Sequence, residues 1–284
     1  IPGIMATRTI ANPRERLITI LVAPLASCSA RLPVYVMMIG VLLPGGVGGV
    51  WTKVAFMLGL YALGTVGMFL FAWIFHRSLR SGSGSTMILE LPPYKVPALR
   101  AVLLRLWSRA RVFITQAGTV ILVISILLWA ATSYPKPDAG DDTDRLTQSI
   151  AGQLGKQIEP LIEPLGYDWK MGIGLIASFA AREVFVSTMS ILYRADDPGE
   201  EGTRPLQTIL REQKRADGSP LFNTKTCLSM LVFYVFAMQC MATLAITRRE
   251  TNSWKWPMFQ FGYLTVTAYM AALLVYQGAG LLGY

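Results

Sequence analysis

Long runs without a charged residue constrain this chain more than any other feature. Four such runs lie at 54–75, 112–134, 227–247 and 258–284. A helix of roughly 20 apolar residues crosses the hydrocarbon core of a bilayer, and its backbone polar groups are satisfied within the helix itself. The runs therefore predict four membrane-spanning helices, and with them an all-α, polytopic membrane protein.

The composition excludes several other classes of protein. Charged residues make up 15% of the 284 residues, whereas a soluble domain carries about 25%. His76 is the single histidine, which excludes a multi-histidine metal site, and three dispersed cysteines are too few for a disulfide framework. The net charge of +9 indicates basic cytoplasmic loops, so we expect a lipid bilayer and no nucleic acid as partner.

Two further apolar segments are interrupted. The segment 17–51 contains one charge beside Pro33, and the segment 171–193 has Arg182 and Glu183 at its centre. A charge inside the membrane is costly and often functional, and a broken helix persists only within protein or along a cavity. We therefore expect a transport pathway at these two segments.

Loop charges predict the orientation of some spans. The stretch 76–111 has seven Lys or Arg residues and one acid, and its basic, amphipathic second half could lie along the membrane surface. The stretch 136–170 has seven acids and four bases. Because positive loops stay inside, the first is predicted to be cytoplasmic and the second to lie on the other side. The balanced charges after 193 leave open whether 171–193 crosses or re-enters, and on which side the C-terminus lies.

An internal repeat is predicted from two pairs of similar segments. Residues 1–10 resemble 182–191, and residues 28–30 resemble 240–242, in the same order. Transporters built from such repeats place the substrate between them, at broken helices near the midplane. The fold we expect thus has broken or re-entrant helices and two structural repeats.

Cys28 is the first candidate ligand in the pathway. Pro33 cannot donate a backbone hydrogen bond and disfavours helix at Leu32, so the preceding carbonyls are predicted to face a cavity. A thiol there is a soft ligand for a transition metal. The alternative is that Cys28 is a small buried packing residue.

Cys240 is the second candidate, and it lies between Met238 and Met241. Thioethers beside a thiol add soft-ligand character, although methionine is also a common packing residue. Cys227 begins a span and is interpreted as structural. Near the next interface, the sequence 248–250 followed by Trp254 reads as a membrane anchor.

The charges at the centre of 171–193 allow two interpretations. Glu183 could help a cation pass, with Arg182 holding it in place, or the pair could lock two helices together. Ser178 and Thr188 could supply oxygen ligands, or they could be small residues at helix contacts. The sequence contains neither a phosphate-binding G-x-x-x-x-G-K-[ST] loop nor an H-E-x-x-H motif, so we expect no enzyme activity in this chain.

Four phrases of the sequence resemble the C-terminal membrane portion of the FeoB family of bacterial ferrous iron transporters. They are IPGIMATRTIANPRERLITILVAPLASCSARLPVY, ELPPYKVPALRAVLLRLWSRARVFITQAGTVIL, AREVFVSTMSILY and LAITRRETNSWKWPMFQFGYLTVTAYMAALLVYQ. The resemblance implies import of Fe²⁺ across the inner membrane, gate segments like those of nucleoside transporters, and Cys28 and Cys240 on the path.

The resemblance also implies a division of the chain. Residues 1–25 would be the end of a first gate segment, and residues 26–110 a FeoB C-terminal-type module with a basic loop. A second gate segment would follow at 111–193, a polar loop at 194–226 and two C-terminal transmembrane helices at 227–284. Because the chain begins with Ile1, we expect the GTP-binding domain, the first spans and a further gate cysteine to precede it.

Partners and alternatives follow from the same resemblance. GTP and Mg²⁺ would act only through the GTP-binding domain, small cytoplasmic Feo-type proteins could assist, and the protein could form a homo-oligomer. Two other functions stay open from the residues alone. They are a transporter of nucleosides or other solutes with the same gate-type fold, and a membrane scaffold that does not transport.

Overall fold

The computed structural model describes residues 2–26, 28–43, 49–79, 98–133, 149–180, 182, 184–194, 205–215, 218–237 and 240–281. Over these ranges the chain is helical and forms no strand, apart from one isolated bridge between Lys214 and Pro220. The all-α prediction is confirmed. The helices in these ranges are α1 Pro2–Ala6, α2 Pro13–Val22, α3 Leu32–Leu42, α4 Gly49–Ser78, α5 Leu99–Ser133, α6 Ile150–Ile162, α7 Trp169–Ala180, α8 Val184–Arg194, α9 Leu206–Glu212, α10 Thr224–Phe236, α11 Met241–Thr251 and α12 Lys255–Leu281.

Two of the predicted spans are long, continuous helices. Helix α4 covers 54–75 and α12 covers most of 258–284, and both are long and apolar enough to cross a membrane. Large apolar side chains on α4, such as Trp51, Leu58 and Phe69, are exposed. Exposed apolar surface of this extent is typical of a lipid-facing helix. The run 112–134 lies in α5, which continues without a break from the basic stretch before it, and residue 134 is outside the described part.

The segment 17–51 is interrupted as predicted, but the break lies before Pro33. Helix α2 ends at Val22 and a 3₁₀ turn follows, whereas Leu32 is already helical with φ −54° and ψ −46°. Pro33 was predicted to disfavour helix at Leu32, but Leu32 is helical because Pro33 lies in the first turn of α3. An N–H group there has no partner within the helix, so proline costs nothing.

The first break is stabilised from α12. The buried Gln260 side chain donates to the carbonyl oxygens of Ile20 and Leu21 at 2.9 and 3.1 Å. The Tyr263 hydroxyl donates to the same Leu21 oxygen at 2.6 Å. These bonds satisfy carbonyls that lose their helical partners where α2 ends.

The segment 171–193 forms a hairpin of α7 and α8. The Tyr193 hydroxyl is 3.0 Å from both carboxylate oxygens of Asp168, so the two ends of the segment meet. Gly174 lies directly against Phe185 and Met189, where a Cβ atom would come within 3 Å of either side chain. The segment therefore returns to the side of the protein from which it starts.

The run 227–247 is not the continuous span that was predicted. Helix α10 ends at Phe236, Cys240 is extended, and α11 begins at Met241. No glycine, proline or charge marks this break. It is stabilised instead by Arg182, which donates to the carbonyl oxygens of Tyr234 and Ala237.

The two broken helices run in opposite directions. Arg8 and Arg16, around the start of α2, bind Glu250 near the end of α11. At the other side, Arg211, which precedes α10, donates to the carbonyl oxygens of Gly40 and Val41 near the end of α3. Helix α1 packs against α11, and α8 packs against α3. In each pair, a helix of one predicted repeat contacts the broken helix of the other.

Helix α12 runs antiparallel to α4. The ring centroids of Phe75, near the end of α4, and Phe259, near the start of α12, are 6.1 Å apart. At its far end, α12 contacts the segment after α6, where the Tyr269 hydroxyl donates to the Leu161 carbonyl at 2.9 Å. The start of α12 therefore lies beside the end of α4, where the basic stretch 76–111 begins, and its far part lies beside the end of α6.

The structure describes part of the predicted polar loop 194–226. It contains α9, and Ile209 and Leu210 of that helix are buried. Arg215, a few residues further along, donates to the Gly166 carbonyl at 2.8 Å. This segment therefore packs against the hairpin side of the protein.

Candidate pathway at the helix breaks

The two candidate cysteines occupy equivalent positions in the fold. Each is an extended residue between the two halves of a broken helix, with φ −95° and ψ 145° at Cys28, and φ −171° and ψ 163° at Cys240. Both are half-buried, free thiols. The Cys240 sulfur lies 3.5 Å from the Thr243 hydroxyl. Cys227 is buried inside α10, as its structural interpretation predicts.

A buried arginine accompanies the first break. Arg31 is fully buried, and its Nη2 donates to the Pro24 carbonyl at 3.1 Å, at the end of the first half-helix. Its Nε and Nη1 have no hydrogen-bond partner within the described part of the chain. These N–H groups of the buried guanidinium are therefore able to donate to another polar group in the core.

A second buried arginine accompanies the other break. Arg182 is 2% exposed, and its Nη1 donates to the Tyr234 carbonyl at 2.9 Å while its Nη2 binds that of Ala237. Its guanidinium lies 5.2 Å from the centre of the Tyr234 ring. Each arginine thus caps the half-helix that precedes a candidate cysteine. Glu183, which the sequence pairs with Arg182, lies outside the described residues.

Tyr35 connects the two breaks. Its side chain is fully buried in α3, and both Arg31 and Arg182 act on its hydroxyl electrostatically. Cys28 interacts in the same way with Arg31, and Cys240 with Arg182. The sequence analysis missed Tyr35, although its position four residues after Arg31 predicts that the two share a face of one helix.

The hydroxyl candidates differ in their surroundings. The Ser178 hydroxyl donates to the Leu175 carbonyl of its own helix at 2.6 Å. The Thr188 side chain is 3% exposed, and its oxygen has no hydrogen-bond partner among the described residues. Since buried polar groups are normally satisfied, Thr188 is the stronger candidate for contact with a ligand.

The other predicted site residues lie away from this arrangement or outside the described part. Pro33 is in the first turn of α3, Met241 is 57% exposed, and Met238 is not described. Within the described ranges, no three side chains of His, Cys, Asp or Glu come together as a metal-binding group. The helix breaks therefore place two thiols near buried positive charge, and Thr188 separately offers a buried hydroxyl without a described partner.

A third charged group lies at the end of α11. The Glu250 side chain is 1% exposed and accepts three hydrogen bonds from Arg8 at 2.6 to 2.9 Å. Arg16 adds one at 2.8 Å. The bonds from Arg8 lower the pKa of Glu250 below its ordinary value. Glu250 therefore links the two halves of the chain, in addition to belonging to the predicted interfacial anchor.

Comparisons with known proteins agree with the resemblance. The Gate family, described as "Nucleoside recognition", matches residues 114–254, and FeoB_C, "Ferrous iron transport protein B C terminus", matches residues 57–109. No solved structure matches the chain.

Several relatives are named Fe(2+) transporter FeoB. That of Leptospira interrogans is 42% identical over 98% of this chain and 41% of its own length. That of Methanocaldococcus jannaschii is 35% identical over 97% of this chain and 39% of its own, and that of Staphylococcus aureus is 34% identical over 98% and 38%. This chain thus spans about two fifths of the length of these relatives. The two matched families and the relatives together show that the chain is similar, over nearly its whole length, to a C-terminal part of the FeoB ferrous iron transporters.

Proposed function

We propose that this chain forms the membrane pathway through which the complete protein moves Fe²⁺ across the bacterial inner membrane. The observation that supports it best is the equivalent placement of Cys28 and Cys240, each extended at the break of a helix. The relatives named as Fe(2+) transporters support the choice of cargo. In this proposal the protein is a multi-pass membrane protein.

The candidate ligands are the thiols of Cys28 and Cys240, with Glu183 as a further contact. The carbonyls of Pro24, Tyr234 and Ala237 are less suited to this role, because the guanidinium groups of the two buried arginines already bind them. Fe²⁺ accepts sulfur as well as oxygen ligands.

Two buried positive charges accompany the candidate ligands. Arg31 and Arg182 place them in a buried core, where charges interact more strongly than in water. The sulfur ligands and Glu183 would therefore have to outweigh the repulsion between these charges and the divalent cation. A transit site must also release its ion, and a small ligand set suits that requirement. Thr188 would add a weak oxygen contact.

The rest of the machinery is proposed to lie outside this chain. A GTP-binding domain with Mg²⁺ would gate the path, and this chain itself would carry no enzyme activity. Small Feo-type accessory proteins are supported as partners by a Porphyromonas gingivalis relative, named a fusion of Fe(2+) transport protein A with the transporter FeoB. A homo-oligomer is also part of this proposal.

Uptake of Fe²⁺ by the complete protein tests the pathway. In cells without other ferrous iron uptake, Cys28→Ser and Cys240→Ser should each lose most of the uptake that the unmodified protein supports. Cys227→Ser is the matched control, because Cys227 lies within α10, away from both helix breaks, and its sulfur donates to the nearby Phe222 carbonyl at 3.8 Å.

Protein amounts in the membrane are measured for every variant. Unchanged Fe²⁺ uptake in the double variant of Cys28 and Cys240 would refute their role. Uptake that nucleosides inhibit and excess Fe²⁺ does not would contradict the choice of cargo.

A further inference from the structure

A polar pocket lies at the link between α11 and α12. It has a volume of about 450 Å³ and is lined by Ala245, Arg248, Arg249, Asn252, Ser253 and Trp254. The turn is made by Asn252, which has a positive φ of 49°, and the Ser253 hydroxyl accepts the backbone N–H of Lys255 at 3.2 Å. None of the lining residues is acidic.

The two arginines of the pocket are placed to bind an anion. The Arg248 guanidinium lies 4.1 Å from the centre of the Trp254 ring, and this stacking leaves the N–H groups at its edge able to donate. Neither Arg248 nor Arg249 forms a salt bridge with a carboxylate of the described residues. The nearest acid along the chain, Glu250, is already bound by arginines of the N-terminal segment.

The pocket lies at the depth of lipid headgroups. The candidate span Lys255–Gly280 begins directly after it. Trp254 is 55% exposed, and Met258 and Phe259, at the start of α12, are exposed to a similar extent. A tryptophan at the end of an apolar helix is typical of the membrane interface, so the exposed apolar side chains would contact acyl chains while the arginines face the headgroup layer.

The side of the membrane follows from packing. Phe259 contacts Phe75 at the end of α4, so the pocket lies on the side of the protein where the basic stretch 76–111 begins. The positive-inside rule puts that stretch in the cytoplasm. Anionic lipids give the cytoplasmic leaflet of a membrane a negative surface potential.

We propose that this pocket binds the phosphate of an anionic membrane lipid from the cytoplasmic leaflet, with Arg248 and Arg249 as the donors. Guanidinium groups favour phosphate as a partner, because its oxygen atoms accept hydrogen bonds from their planar set of N–H donors. A bound lipid would hold the end of α11, the half-helix that begins at Cys240. This site is separate from the proposed ion path and does not depend on the identity of the transported ion.

Lipid binding by the purified protein in nanodiscs tests the proposal. Native mass spectrometry would compare nanodiscs of phosphatidylglycerol mixed with phosphatidylcholine. The double variant R248Q/R249Q should retain phosphatidylglycerol roughly tenfold less well, since charged hydrogen bonds are lost. R77Q is the control, because Arg77 is also a basic residue near the same interface, stacked on Trp73 at 5.9 Å.

Two outcomes would overturn the proposal. Equal retention of phosphatidylglycerol by R248Q/R249Q and by the unmodified protein would show that the pocket does not hold the lipid. Displacement of phosphatidylglycerol by millimolar inorganic phosphate, added to the same nanodiscs, would assign the site to a soluble anion instead.

Discussion

Removing the charge of Glu250 should destabilise the fold, because this carboxylate joins the N-terminal segment to the end of α11. Glu250→Gln keeps one acceptor oxygen and turns an NH₂ group toward the guanidinium groups of Arg8 and Arg16. A hydrogen bond to a charged group contributes about 1.5–3 kcal/mol. The Arg8 and Arg16 side chains are 51% and 31% exposed, so solvent weakens the attraction. A loss of about 2 kcal/mol in the free energy of unfolding is expected for the variant.

Thermal unfolding in detergent measures this loss. For a chain of this size, about 2 kcal/mol corresponds to a decrease in Tm of roughly 5 °C. The pKa of Glu250 is lowered in the folded protein, chiefly by the Arg8 hydrogen bonds. The stabilisation is therefore fully present above the ordinary carboxyl pKa and is lost as the pH falls through the lower, folded-state value. The difference in Tm between the two proteins should shrink in acid.

Glu163→Gln provides the control, since it makes the same chemical change at an exposed carboxylate. Its Tm should stay close to that of the unmodified protein at every pH. Equal unfolding temperatures of Glu250→Gln and Glu163→Gln, or a decrease in Tm of Glu250→Gln that persisted unchanged in acid, would contradict this role of the Glu250 carboxylate.

Three further predictions concern packing, titration and orientation. Gly67→Ala should cost about 1–3 kcal/mol, because a Cβ atom would lie 2.6 Å from the Phe236 ring, whereas Gly59→Ala, with open space around it, should not lower Tm. Burial raises the pKa of Asp168, and the Tyr193 hydroxyl opposes this effect; Tyr193→Phe should therefore lower Tm more at pH 7 than at pH 4. The end of α12 is predicted to lie outside the cytoplasm, where alkaline phosphatase is active. Alkaline phosphatase fused after α12 should therefore be active, and an inactive fusion would contradict the orientation of α12.

Periodicity and charge predicted the long elements of the fold. Uncharged runs located α4 and α12, because a helix exposed to lipid must be apolar along its whole length. The break between α10 and α11 was missed for a physical reason. It depends on Arg182, which is distant in sequence and replaces the helical bonds of Tyr234 and Ala237.

The candidate site was likewise predicted only in part from the sequence. Cys28 and Cys240 were recognised from their chemistry and from the repeat, and the equivalence of their backbone positions then emerged from the structure. The role of Gln260 in the first break was not predictable, because its partners in α2 are about 240 residues away. Contacts between distant segments leave no local pattern in a single sequence.

The shortness of α10 has a consequence for how the protein is made. Its 13 residues rise about 20 Å, which is less than the roughly 30 Å of hydrocarbon in a bilayer. As the chain leaves the ribosome, α10 cannot settle as an independent span, and it packs extensively on α12, where Ser229 donates to the Ala272 carbonyl at 3.1 Å. Complete packing of α10 therefore requires α12, and we expect a nascent chain that stops before Lys255 to be a substrate for membrane proteases.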